Sequence, residues 1–345
     1  MQYRLVFIGF GNVARSLGRL LLRKREILEA DHGISFLVTG IATGSHGCAV
    51  SSGGLDLEQA LEWAESGRSL ASLSERPVEG SQQVIEAAPG EVMFENSPVE
   101  HLTGEPALTH ARLALQKGMH VITANKGMLV HGYRELTALA GSKGKRFLFE
   151  STVLGGSPVF SLFQEALPAA ELESFHGIIN ATTNLILTRM EQGDSFDSAV
   201  KFCQSIGLAE TDPSADVDGW DAAIKVAALI TVLMDSPFTP QQVERQGIRG
   251  ITVERIHQAR QEGMRWKLVA SAAREGSSIR ARVRPEKVPV ASPLYGIEGS
   301  SAGLIFRTDV LPDYSIIVTE REGMRGGPVE TAYGLLADFV RAVGS

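Results

Sequence analysis

Apolar residues come in short runs separated by glycine, and over the first 150 positions strand-like runs alternate with stretches of helical spacing. Tyr3 to Ile8 is a short apolar run that stops at a glycine turn, after which Ala14 to Arg23 takes up helical periodicity. Ile34 to Ala42 predicts a second strand, Leu57 to Leu73 one or two surface helices, and Glu91 to Glu95 a strand. Pro106 to Lys117 predicts a helix closed by Gly118, followed by a strand at His120 to Thr123, a helix at Arg134 to Ala140 and a strand at Arg146 to Glu150. Such alternation predicts an α/β fold with a Rossmann-like, doubly wound parallel sheet.

Beyond Glu150 the pattern changes. Ser151 to Pro158 reads as a glycine turn rather than another strand–helix unit, so a domain boundary is expected there. A helix at Phe160 to Ala166 precedes a strand at Leu172 to Ile179, whose end is the polar cluster Asn180-Ala181-Thr182-Thr183-Asn184. That cluster opens a helix over Leu185 to Glu191, where its side chains suit either a helix cap or a small polar ligand. Helices over Ser195 to Ile206 and Val253 to Glu262 flank an apolar, buried-looking run at Ala222 to Ile230. Strands over Met264 to Ala273, Ser278 to Val288, Ser300 to Thr308 and Ser315 to Thr319 predict a mixed or antiparallel sheet. A last glycine turn, Gly323 to Pro328, leads into a helix over Val329 to Ala342. The expected division is 1–149 with about 323–345 as one domain and 150–322 as an α+β domain.

Composition narrows the classes. With 345 residues there is chain enough for roughly two cores. A formal net charge of −7 argues against a general nucleic-acid or anionic-membrane surface, though not against a local basic pocket. Cys48 and Cys203 have neither metal-ligand nor disulfide spacing, which suits a reducing cytoplasm. The N-terminus shows no signal-peptide pattern, and no apolar run is long enough to cross a bilayer.

Three stretches carry candidate chemistry. Gly9-Phe10-Gly11-Asn12-Val13-Ala14 matches the GxGxxG/A dinucleotide fingerprint, with Ala14 as the small third position, between a strand and a helix whose first N–H groups face a phosphate. Residues 32–55 contain an acid nowhere after His32 and before Leu55, and no lysine or arginine either. The missing carboxylate removes repulsion against a 2′-phosphate while the missing arginine removes attraction, so NADP is slightly favoured and NAD also fits. Strand ends at Asn96-Ser97-Pro98 and Thr123-Ala124-Asn125-Lys126 fall where ligands bind in open α/β sheets; Lys126 is either chemistry or a solvated loop lysine. Finally, Gly207 to Lys225 holds Glu210, Asp212, Asp216, Asp218 and Asp221 before an apolar helix. Asp221 and Lys225 are four apart and share a helix face, as a solvated cap or as part of a site.

Together these stretches resemble homoserine dehydrogenase in its short form, without a C-terminal regulatory domain. The resemblance runs through nearly the whole chain in one order: the glycine turn at Gly9, Thr123-Ala124-Asn125-Lys126, Glu150-Ser151-Thr152-Val153-Leu154-Gly155-Gly156-Ser157-Pro158, Gly177 to Leu187, and the acidic pattern from Gly207 to Lys225. Leu208 stands for a tyrosine, and Ala181 and Leu154 each replace a glycine. If that glycine needs positive φ, Leu154 is strained.

The resemblance implies reversible reduction of L-aspartate 4-semialdehyde to L-homoserine, a step of threonine, methionine and isoleucine biosynthesis. It implies Lys225 as proton donor oriented by Asp221, and Lys126 across a cleft. Glu210, Asp216 and Thr182 would bind the amino-acid head group. Gly9, Gly11, Asn12, Val13, Ser97, Thr123, Lys126 and Gly327 would hold the dinucleotide. A monovalent cation such as sodium would sit at Glu150, Val153, Gly155 and Ser157. The chain would pair as a homodimer through the sheet of its catalytic domain, with no nucleic-acid or membrane partner. Two other readings stay open: a dehydrogenase of the same fold for another amino acid or aldehyde, suggested by Ala181 and Leu154, and a non-catalytic NADP-binding protein, against which the intact lysines count.

Overall fold

The structure is a computed structural model that describes residues 1–319 and 327–344; the turn expected at Gly323 to Gly326 lies outside them. The chain divides into two units, Met1–Pro158 with Pro328–Ser345, and Val159–Gly327.

The first unit is built on β1 (Gln2–Ile8), whose last four residues are buried. Helix α1 (Asn12–His32) follows and ends at Gly33, whose left-handed φ of 64° lets its N–H return to the Glu29 carbonyl. Strands β2 (Ser35–Ala42) and β3 (Cys48–Leu55) come next, then α2 (Leu57–Glu65), α3 (Gly80–Ala87), β4 (Val92–Glu95), α4 (Ala107–Gln116), β5 (His120–Thr123), α5 (Lys126–Ser142) and β6 (Phe147–Leu148). The sheet order is β3-β2-β1-β4-β5-β6, parallel except for β3, which runs antiparallel to β2. This is the Rossmann-like sheet expected, with an added antiparallel edge. Phe7 stacks on Phe94 at 5.1 Å in its core. The C-terminal helix Pro328–Val343 buries Leu335 and Phe339 here, and Tyr3 donates to the Val343 carbonyl at 3.1 Å.

Residues 150–158 also belong to this unit, so the division falls later than the expected 149/150. The cause is hydrogen bonding: the Glu150 N–H donates to Asp338 Oδ2 at 2.8 Å and the Ser151 hydroxyl to the Thr331 carbonyl at 2.6 Å.

In the second unit the strands are β7 (Leu172–Ile178), β8 (Glu244–Arg245), β9 (Met264–Glu275), β10 (Ser278–Pro289), β11 (Ala302–Thr308) and β12 (Tyr314–Val318). They form a mixed sheet of order β12-β11-β7-β9-β10-β8, antiparallel except where β8 meets β10. Glu275 pairs with Ser278, leaving a two-residue turn with Gly276 at φ 63°, the hand that suits strand twist. Helices are α6 (Ala181–Glu191), α7 (Phe196–Ser205), α8 (Ser214–Val217), α9 (Trp220–Leu233) and α10 (Val253–Gln261); α6, α9 and α10 pack on β9. Leu162–Ala166 winds as a single π-helical turn where a longer helix was expected.

Candidate functional site

In the first unit the glycine turn forms as its spacing predicts. Gly9 has φ 81°, and a Cβ there would lie 2.5 Å from the Asn96 carbonyl carbon, so only glycine fits. At Gly11 a Cβ would meet nothing within 4 Å; the backbone faces open space where a pyrophosphate can approach. Ala14 is buried in the core beneath. Helix α1 has no acid in its first turn, which leaves its N–H groups electropositive. Asn12 instead accepts from Arg15 at 2.7 Å, and Val13 is half-buried. A cleft of about 720 Å³ opens here, bounded by Gly9, Thr43, Gly44, Ser97, Pro98 and the start of α3.

The strand-end residues divide between ligand-facing and structural roles. Ser97 lines the cleft and its hydroxyl is held by the buried Glu95 carboxylate, which also meets His110 Nδ1 at 3.2 Å. Thr123 is fully buried, with its hydroxyl donated to the Glu95 carbonyl at 2.8 Å and accepting the Asn125 N–H at 2.9 Å. Asn125 caps α5 through the Gly127 N–H at 3.0 Å and reaches the Ser97 carbonyl at 3.3 Å, so Lys126 begins its helix on a fixed backbone. Gly327 precedes the C-terminal helix at φ 151° and does not line the cleft.

Glu150, Val153 and Ser157 are buried and Gly155 half-buried in one turn that meets the C-terminal helix. Positive φ falls on Gly155 at 46°, not on Leu154, so leucine there carries no backbone strain and that expectation is corrected. A carboxylate and backbone carbonyls are the hard oxygen donors a monovalent cation takes. Arg341 Nη1 stands 3.6 Å from Glu150 Oε2 and competes for the same carboxylate. Asp338 beside it is buried, and burial followed by Glu150 repulsion raises its carboxyl to about 7 against the pull of Arg341.

The second unit draws its acidic stretch into a compact cluster. Gly219 at φ 81° starts α9, putting Asp221 in the first turn and Lys225 one turn on. Lys225 Nζ pairs with Asp221 Oδ2 at 2.8 Å and donates to the Ile179 carbonyl at the end of β7, also at 2.8 Å. Asn180 caps α6 through Oδ1, at 2.8 Å from the Thr183 N–H, while its Nδ2 bridges Asp216 at 2.6 Å and Asp221 at 3.0 Å. Thr182 is buried and reaches the Leu208 carbonyl at 3.3 Å. Burial pushes the Asp216 carboxyl up, Asp221 repulsion adds to this, and Asn180, Lys225 and Thr182 oppose it.

Among the described residues, one of the three Lys225 protons lacks an acceptor. Asp212 and Asp218 turn to local partners: Asp212 accepts the Ser214 N–H at 3.0 Å, and Asp218 pairs with Arg249 at 2.6 Å. Glu210 is exposed and is not brought to the cluster, its carbonyl being held by Gln204 at 3.2 Å. Asn180 is the residue whose part the sequence left open between cap and ligand; it does the first and organises the acids as well.

An ammonium able to hand a proton to an oxygen, in a chain that also folds a glycine-turn nucleotide cleft, defines the protein as a pyridine-nucleotide-dependent oxidoreductase. The comparisons narrow this. The profile of the homoserine dehydrogenase family matches residues 158–340. The NAD(+)-dependent homoserine dehydrogenase of Pseudomonas canavaninivorans is 33% identical over 341 residues, 98% of this chain and 96% of that one. An Archaeoglobus fulgidus structure assigned as a homoserine dehydrogenase superposes with a TM-score of 0.87 at 31% identity, covering 99% of this chain and all of that one, 100%. A hyperthermophilic archaeal homoserine dehydrogenase in complex with NADPH gives 0.81 at 28%, covering 99% and 98%. The chain belongs to the homoserine dehydrogenase family.

Proposed function

We propose that this chain interconverts L-aspartate 4-semialdehyde and L-homoserine, with Lys225 as the proton donor and the Asp216–Asn180–Asp221 group as the seat of the substrate's ammonium. The observation that carries this is the Lys225 cluster: an ammonium aligned by two fixed acceptors, beside two carboxylates that the Asn180 amide holds together. A bound nicotinamide would supply hydride to the aldehyde carbon, or take it from the same carbon of the alcohol in the reverse direction. Reduction puts negative charge on the carbonyl oxygen, which Lys225 stabilises and then protonates; in the oxidation it takes that proton back. Asp221 and the Ile179 carbonyl hold Nζ on line, and Asp216 meets the α-ammonium with Thr182 beside it. Gly9, Gly11, Asn12 and Val13 receive the pyrophosphate, and Ser97 borders the same cleft.

The Pseudomonas relative's NAD and the archaeal enzyme's NADPH are both compatible with a dinucleotide here; the charge-free segment 32–55 bars neither. A sodium or potassium ion held by Glu150 and the carbonyls of Val153, Gly155 and Ser157 would stiffen the turn before the second unit. Exposed Tyr314 and Ile317 on the edge strand β12 support a homodimer through that sheet. Two buried, unpaired cysteines support a cytoplasmic setting, and among the described residues no helix is long and apolar enough to cross a membrane. The test is homoserine oxidation with NAD and NADP in parallel, with and without sodium; absence of turnover with either removes the assignment.

A further inference from the structure

Cofactor choice in such a cleft turns on what faces the adenosine ribose, and in this fold that place is the end of the second strand. Here β2 ends at Ala42, and of the residues after it Thr43 and Gly44 line the cleft. The Thr43 hydroxyl is used within its own turn, donating to the Gly47 carbonyl at 3.0 Å and accepting the His46 N–H at 2.6 Å. Gly44 has none. The partners at this end come from α3. That helix runs antiparallel to β2: Thr39 near the middle of the strand donates to the Pro89 carbonyl at 2.6 Å, and a Cβ on Gly40 would touch Val84 and Ala88. The N-terminus of α3 therefore falls beside Thr43 and Gly44, and Glu79, Gly80 and Ser81 line the cleft with them.

Glu79 is the residue just before α3. Its N–H is fixed by Gln83 Oε1 at 2.9 Å, so its backbone is held while its carboxylate makes no hydrogen bond or ion pair among the described residues. Among the described residues, no lysine or arginine lines the cleft, and Glu79 is the acid that does.

We propose that Glu79 sets cofactor choice, its carboxylate accepting the ribose hydroxyls of NAD and rejecting the 2′-phosphate of NADP. This rests on the dinucleotide reading of the cleft. A ribose diol offers two donors to a two-oxygen acceptor, whereas a 2′-phosphate would set about two negative charges against a third, with no arginine among the described lining residues to offset them. The α3 N-terminus carries only about half a positive charge, and Glu79 beside it cancels that. Segment 32–55 had slightly favoured NADP because it lacks an acid; the fold brings one in from another element.

The test compares kcat/KM for NAD and NADP in wild type, Glu79→Gln, Glu79→Asp and Glu79→Arg, alongside fluorescence titration of NADH and NADPH without substrate. Wild type should favour NAD by about tenfold or more, and Glu79→Gln should erase about tenfold of that preference through KM. Glu79→Asp should keep the preference, and Glu79→Arg should move it toward NADP. Wild-type preference for NADP, or an unchanged ratio in Glu79→Gln, overturns the assignment. NADH binding that depends on Glu79 without homoserine turnover supports Glu79 and overturns the enzymatic reading instead; binding of neither dinucleotide overturns both.

Discussion

Replacing Lys225 with arginine separates two jobs that one ammonium performs. The side chains of Lys225 and Asp221 are only 15% and 17% exposed, so removing the cation altogether leaves a largely buried carboxylate without its partner. Lys225→Ala should therefore cost about 3 kcal/mol of stability, near the value for breaking a buried pair from one side. It should also raise the Asp216 carboxyl further, because Lys225 is one of the groups holding it down. Lys225→Arg keeps the charge and reaches the same two acceptors, so its stability should stay within about 1 kcal/mol of wild type. A guanidinium does not release its proton in a protein, so arginine cannot act as the acid. Loss of a positioned general acid lowers turnover by about 10²–10⁴-fold. The expected pattern for Lys225→Arg is thus a near-normal melting curve, near-normal NADH binding and kcat reduced by at least about 10²-fold. Steady-state semialdehyde reduction, with thermal unfolding and NADH fluorescence titration on the same preparations, reads all three. Wild-type kcat in Lys225→Arg would refute proton donation and leave Lys225 as a purely electrostatic partner.

Because Asp216 has a raised carboxyl, the substrate ammonium loses its counter-charge as pH falls through that value. The KM for homoserine should climb on the acid side, and Asp216→Asn should give a high, flat KM profile in the same assay. Asp338, with a carboxyl at about 7 in the fold against an ordinary value near 3.8, favours the folded state while protonated. Its contribution is whole below about pH 4 and is lost as pH rises through about 7. Denaturant titrations should show Asp338→Asn more stable than wild type at pH 8, with the difference shrinking toward pH 4; a difference independent of pH would remove this account. The two glycines of the turn should part company. Gly9→Ala meets backbone and an unfavourable φ, and should lower Tm and dinucleotide affinity together. Gly11→Ala has space, so it should leave Tm unchanged while weakening dinucleotide binding by about tenfold or more.

Periodicity was enough to read β1 and β5, which are short apolar runs, and to place β9 and β10 to within two residues at either end, while of α1 it reached Ala14 to Arg23 in a helix that runs Asn12–His32. It failed for β3 and α3, and for one physical reason. β3 is an edge strand whose middle, Ser51 to Gly54, is only partly covered, and α3 presents little beyond Val84 and Ile85 to the core. Neither needs a continuous apolar pattern, so neither leaves one. The acidic stretch shows the same limit from the functional side. Its spacing placed Asp221 and Lys225 on one helix face, but not the Ile179 carbonyl or the Asn180 amide that align them, which come from the end of β7 more than 40 residues earlier. Local spacing could not separate Asp216 from Asp218 either. Partners did: Asn180 draws one into the cluster, and Arg249 takes the other out to solvent. Glu79 takes this furthest. An acid before a short helix is ordinary in sequence, and it gains meaning only because α3 runs back along β2 and delivers it to the cleft that Gly9, Thr43 and Gly44 border. In this chain the glycine turn is legible in one local run, while the side chains gathered at the cleft and at the Lys225 cluster arrive through tertiary pairing.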